Sequence, residues 1–205
     1  MFMDLATEVA RNVLVLTVYF IVVALVFNRA FQSLDKLVNF ETDAAYLNKQ
    51  LSANKLQDIL NVKFSFAEKY ELDELHRLCM SIENKSKDVF VEIDWKQCFI
   101  SDFDKRIRRA IRVIPGKNEA AAQSPSMILP GQTLKEEISD EKIGSPLFEP
   151  KKLQAAADKT DYFYLRLLLK ISEANVGGRS CNLRCQFIAK NLSWQKALVL
   201  ALQPK

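Results

Sequence analysis

The segment YFYLRLLLKIS, Tyr162 to Ser172, alternates so regularly that it leaves the chain little choice of fold class. Phe163, Leu165, Leu167, Leu169 and Ile171 fall at every second position, with Tyr162, Tyr164, Arg166 and Lys170 between them. Successive side chains of a strand point to opposite faces, so this pattern predicts a strand with one face in a core. SCNLRCQFIAK, Ser180 to Lys190, alternates in the same way, and Cys181, Leu183, Cys185 and Phe187 share its apolar face. Gly177-Gly178 is expected in the loop between them, giving a long antiparallel hairpin.

The same period recurs upstream. In ELHRLCMSIEN, Glu74 to Asn84, Leu78, Met80 and Ile82 lie on one face, with Cys79 and Glu83 on the other. In VFVEIDW, Val89 to Trp95, Val89, Val91, Ile93 and Trp95 alternate with Phe90, Glu92 and Asp94. The polar link between them predicts antiparallel neighbours. RIRRAIRVI, Arg106 to Ile114, and SMILPGQTLKEEI, Ser126 to Ile138, supply further strands. Pro115-Gly116 and Pro130-Gly131 suit the central positions of type II turns, since proline presets the first φ and glycine accepts the positive second one. Residues 117–127 are expected as a mobile loop, Ala155 to Ala157 as part of a short helix, and the tail from Ser193 as either strand or helix. Strands without interleaved helices predict a mainly β antiparallel sandwich over 74–205.

The N-terminal part has another character. Asn12 to Asn28 is a run of seventeen residues without a charge. It spans roughly 25 Å as a helix, the short end of what a bilayer core of about 30 Å accepts. Asp4 and Glu8 before the run and Arg29 after it do not suit a cleaved signal. The expectation is a single-pass transmembrane anchor over 1–31, with Arg11 and Arg29 at the interfaces. Arg29 and Lys36 after the run against Arg11 before it place the C-terminal part in the cytoplasm by the positive-inside rule. Residues 32–73, where Leu34, Leu37, Val38, Tyr46, Leu47, Leu51, Leu56, Ile59 and Leu60 recur near helical spacing, predict an amphipathic helical stalk, with Ser52 or Asn54 as a cap within it.

From Met80 to Gly116, followed by SMILPGQTLKEEI, the order of motifs resembles membrane-tethered bacterial domains with an immunoglobulin-like fold. It is more distantly similar to the late embryogenesis abundant type 2, or water-stress and hypersensitive-response, sandwich. The shared elements are a strand ending at Asn84, a valine-rich strand over Val89 to Trp95, and the step Ile128, Pro130, Gly131. The resemblance covers roughly residues 75 to 190 and implies a non-catalytic binding or assembly module beside a membrane.

Chemistry is sparse. His76 is the only histidine, and no nucleophile motif, phosphate-binding glycine loop or acidic metal cluster accompanies it. The expectation is no enzyme, no cofactor and no metal. Cys79, Cys98, Cys181 and Cys185 lack C-x-x-C spacing, and they are expected as free, mostly buried thiols. The formal charge of +4 is too mild to argue for nucleic acid, and no aromatic residues interleave with the arginines of RIRRAIR. That run instead predicts a cationic stripe of Lys105, Arg106, Arg108 and Arg112, with Ile107, Ile111 and Val113 turned into the core. It would either contact an anionic lipid surface or be balanced by Glu92, Asp94 or the run from Glu136 to Glu141. The expected function is a membrane-anchored interaction or scaffolding domain with a protein partner. The alternative is a domain holding an apolar molecule between its sheets, lined by residues such as Leu167, Leu169 and Phe187.

Overall fold

The computed structural model describes residues 2–34, 37–114, 123–173, 176–193 and 195–196. The chain divides into two compact units, one of Met1–Lys36 with Leu192–Lys205 and one of Leu37–Asn191. Pro115-Gly116, most of the 117–127 loop and most of the tail lie outside the described residues.

The first unit contains α1 (Phe2–Leu34). Its residues lack proline and glycine, and the Thr17 hydroxyl donates to the Val13 carbonyl at 2.8 Å, so a polar group inside the apolar run is satisfied locally. Among the described residues no helix is long and apolar enough to cross a membrane, which corrects the expectation of a transmembrane segment over 1–31. The reason lies in length: the charge-free run is seventeen residues, roughly 25 Å against a core of about 30 Å, and Glu8, Arg11 and Arg29 bound it in the sequence.

The second unit corrects the helical stalk. Residues 37–73 form β1 (Leu37–Thr42), α2 (Ala44–Ala53), β2 (Leu60–Ser65) and β3 (Tyr70–Glu71). Val38 and Phe40 are buried on β1 by strand alternation, and Leu47 and Leu51 are buried on α2 by helical spacing. The two periods, run together in the sequence, imitate one amphipathic helix. Asp43 separates them, its carboxylate accepting the Tyr46 N–H at 2.9 Å as the N-cap of α2, and Asn54 closes the C-terminal end with its N–H on the Gln50 carbonyl.

The remaining elements are β4 (Leu78–Asn84), β5 (Val89–Ile93), a 3₁₀ turn (Trp95–Gln97), β6 (Phe99–Ser101), β7 (Ile107–Arg109), β8 (Ile111–Arg112), β9 (Ser126–Ile128), β10 (Thr133–Ser139), α3 (Pro150–Asp158), β11 (Tyr162–Glu173) and β12 (Val176–Asn191). One eight-stranded antiparallel sheet runs β3-β1-β12-β11-β5-β9, with β6 also on β11 and β7 on β6. A four-stranded sheet runs β2-β4-β10-β8. Their facing sides share one core: the Phe64 ring of β2 meets that of Phe187 on β12 at 4.7 Å, and Phe187 meets Phe163 on β11 at 4.9 Å. The arrangement is sandwich-like, but the sheet sizes and strand order differ from an immunoglobulin domain, whose two sheets are small and nearly equal.

The hairpin of β11 and β12 is as long as its alternation predicts. Gly177 and Gly178, expected in the loop, instead lie inside β12. β4 and β5, expected as neighbours, lie in different sheets. Buried Asn84 braces that crossing, its amide Nδ2 donating to the carbonyls of Val89 at 2.7 Å and Ile128 at 3.2 Å. Gly131 carries the positive φ of 72° that its turn requires, and the Gln132 N–H closes that turn on the Leu129 carbonyl. α3 begins with Pro150 at its first turn and includes Ala155 to Ala157, as expected.

Candidate functional site

The long strand β11 carries different neighbours along its two halves. Leu169 to Glu173 pair with β5, and Tyr164 to Arg166 pair with β6. Asp94 and the 3₁₀ turn interrupt what would otherwise be one strand, and the Asp94 N–H donates to the Leu168 carbonyl at the break. Beside β6 the outer face of the eight-stranded sheet is hollowed into a groove of about 730 Å³.

Residues directly opposite each other in neighbouring strands share a face. Register therefore builds one row across four strands: Arg109 on β7, Phe99 on β6, Arg166 on β11 and Arg184 on β12. Beneath it Ile100, Leu165, Leu167, Leu183 and Cys185 are fully buried, which fixes the phase of all three inner strands. Arg166 and Arg184 are direct cross-strand partners, and like charges so placed repel. They are held by neutral groups. The Arg184 guanidinium lies 3.6 Å from the centre of the Tyr164 ring, and Arg166 Nε donates to Asn182 Oδ1 at 3.1 Å. Among the described residues neither makes an ion pair with a carboxylate.

Aromatic rings surround the pair. Tyr162 stands edge-on to Tyr164 at 5.3 Å, and Tyr46 of α2 reaches Tyr164 at 6.0 Å. Burial pushes the Tyr164 hydroxyl above its ordinary pKa, with the Arg184 charge opposing it. Asp102 and Asp161 also line the groove, which leaves its charged lining with three cations, counting Lys105, against two carboxylates. Asp161 is occupied in part by the Tyr162 N–H at 2.8 Å.

The expected stripe of Lys105, Arg106, Arg108 and Arg112 is distributed over three environments. Lys105 stands on the β6–β7 turn at a φ of 61° and lines the groove; the turn is closed by the Lys105 N–H on the Asp102 carbonyl and by the Arg106 N–H on Asp102 Oδ1. Arg106 is exposed on that turn. Arg108 pairs with buried Asp140 and donates to the Leu147 carbonyl at 2.6 Å. Arg112 pairs with Glu136 at 3.2 Å and donates to Ser126 Oγ at 2.9 Å; Ser126 Oγ also accepts Trp95 Nε1 at 2.9 Å. The physical reason is the chain crossing at buried Ala110, where β7 of one sheet gives way to β8 of the other and alternation breaks. Ile107, expected in the core, is 71% exposed, while Ile111 is fully buried.

His76 is apart from the groove, and its Nδ1 is buried without a hydrogen-bond partner among the described residues. The cysteines are free, with Cys79 exposed and the other three buried. Burial raises the Cys98 thiol to about 11 and pushes Cys185 higher still, so neither is a nucleophile near neutral pH.

Arg184, Arg166 and Phe99 were not singled out by sequence. The outward face of β11 displayed Tyr162, Tyr164 and Arg166, but only register shows that Phe99 and Arg184 flank it. Compared with family models, curated proteins and solved structures, the chain matches none, so the groove stands on its own residues.

Proposed function

We propose that the Leu37–Asn191 unit is a non-catalytic binding module whose working surface is this groove, and that its partner presents negative charge to Arg166 and Arg184. The observation that carries the reading lies along one strand. Lys170, on the same outer face of β11, is matched by Glu92 and Asp94, each at 3.1 Å. Among the described residues Arg166 has no such match, and its cross-strand neighbour is a second cation. Charge without a carboxylate partner beside partly exposed aromatic rings in a concave site is what recognition requires and stability does not.

An apolar molecule between the sheets is the weaker reading. Leu167, Leu169 and Phe187 are fully buried, and Phe187 is in ring contact with Phe64, Phe66 and Phe163. A guest there would have to displace close-packed rings, at a cost of several kcal/mol.

A photo-crosslinking amino acid in place of exposed Ile107, with adducts weighed by mass spectrometry, tests the proposal. The expected result is an adduct from position 107 that disappears when Arg166 and Arg184 are both changed to Gln. A control at exposed Lys63, on the four-stranded sheet, is expected to give none. Equal adducts from both positions, or adducts indifferent to the two arginines, contradict it.

A further inference from the structure

We infer that the groove takes a small phosphomonoester carried on a flat ring, of the nucleoside monophosphate class, with its phosphate between Arg166 and Arg184. This rests on the groove being the binding surface, and adds what occupies it.

Arg166 and Arg184 are opposed in register, and their two charges exceed what one carboxylate neutralises. A phosphate monoester carries about −1.5 to −2 charges near pH 7 and three acceptor oxygens, so it can accept from both forks at once. It also relieves the repulsion between the two arginines, and Lys105 on the rim adds a third positive charge.

The ring is assigned by what remains free around the anion. Tyr164 already has Arg184 on its face. Phe99 is next to Arg166 in the cross-strand row, and Tyr162 is 43% exposed at the groove, so these two offer apolar ring surface beside the charge. Asp102 and Asp161 are acceptors, suited to hydroxyl or amino groups; a bare inorganic anion would find only repulsion there. A volume of about 730 Å³ is ample for a ligand of this size.

Calorimetric titration of the full chain with adenosine 5′-monophosphate, adenosine and inorganic phosphate tests the assignment. The monophosphate is expected to bind about tenfold or more tightly than either of the others. Arg166→Gln with Arg184→Gln is expected to abolish that preference while far-ultraviolet dichroism and thermal unfolding stay as in the parent. Arg184→Lys, which keeps the charge and loses the fork, is expected to weaken monophosphate binding by about tenfold. Tyr162→Ala is expected to weaken the monophosphate and leave inorganic phosphate unchanged. Equal binding of adenosine and its monophosphate overturns the phosphate assignment, and equal binding of inorganic phosphate overturns the ring. If no probe binds while the adduct at position 107 persists and still needs both arginines, this inference fails and the groove reading survives.

Discussion

Two pairs of arginines on the same unit have opposite surroundings. Arg108 and Arg112 sit where the chain passes from one sheet to the other, and each has a carboxylate, Asp140 or Glu136, that is itself largely buried. Arg166 and Arg184 sit on the outer face of the eight-stranded sheet, side by side, with a ring and an amide for company. A guanidinium removed from water must be paired, whereas one left in water need not be. The difference separates arginines the fold requires from arginines the fold merely tolerates.

The largest effect is expected at the seam. Asp140→Ala leaves the half-buried Arg108 guanidinium with the Leu147 carbonyl and the Phe148 ring but no carboxylate, and should lower the unfolding free energy by about 2 to 3 kcal/mol after allowance for the exposure of Arg108. Urea denaturation measures it, and a cost near zero would remove Arg108 from the structural class. Next is Ser126→Ala, which strips the hydroxyl shared by Trp95, Arg112 and Glu136, and should cost about 1 to 2 kcal/mol by the same measurement.

In the groove the effect is expected to fall close to zero in the same urea titration. Arg184→Gln loses the stacking on Tyr164 but removes the like-charge neighbour of Arg166, so stability should change by no more than about 0.5 kcal/mol.

The smallest effect concerns the matched Lys170 on β11. Burial pulls the Asp94 carboxyl upward, but the hydrogen bond and charge of Lys170, helped by the Lys96 N–H and the Gln97 amide, outweigh it and hold Asp94 below its ordinary value. Because the folded pKa is the lower one, this stabilisation is present above the ordinary aspartate value of 3.8 and is lost as pH falls through the folded value. Lys170 is raised by hydrogen bonds to Glu92 and Asp94, so its contribution is present below 10.5 and lost as pH rises beyond its folded value. Denaturation midpoints measured across the acid limb should therefore fall less steeply in Asp94→Asn than in the parent. Parallel curves would show that the pair contributes nothing.

How much of this was legible in the sequence depends on whether local period or long-range register was needed. The hairpin of β11 and β12, the Pro130-Gly131 turn and the helix at Ala155 to Ala157 each follow from rules that act within a few residues. β1 was hidden because its buried Val38 and Phe40 stand just before the helical spacing of Leu47 and Leu51, and Asp43, the cap between them, is a single residue. The arginine run misled for a similar reason. Alternation assumes one continuous strand, and the sheet change at Ala110 turns Ile107 outward and Arg108 toward Asp140. The groove needs β6, distant in sequence, to dock on the β11–β12 hairpin before Phe99 joins Arg166 and Arg184 in one row, and no local pattern encodes that docking. The apolar run in α1 was overvalued for its composition, when its length decides whether it can span.

The contrast between the two arginine pairs is tested most directly by measuring the unfolding free energy of two double variants in the same urea titration. Arg108→Gln with Arg112→Gln is predicted to lose about 3 to 5 kcal/mol, because Asp140 and Glu136 are left largely buried without their cations. Arg166→Gln with Arg184→Gln is predicted to stay within about 0.5 kcal/mol of the parent. An equal or greater loss from the groove pair would contradict the account.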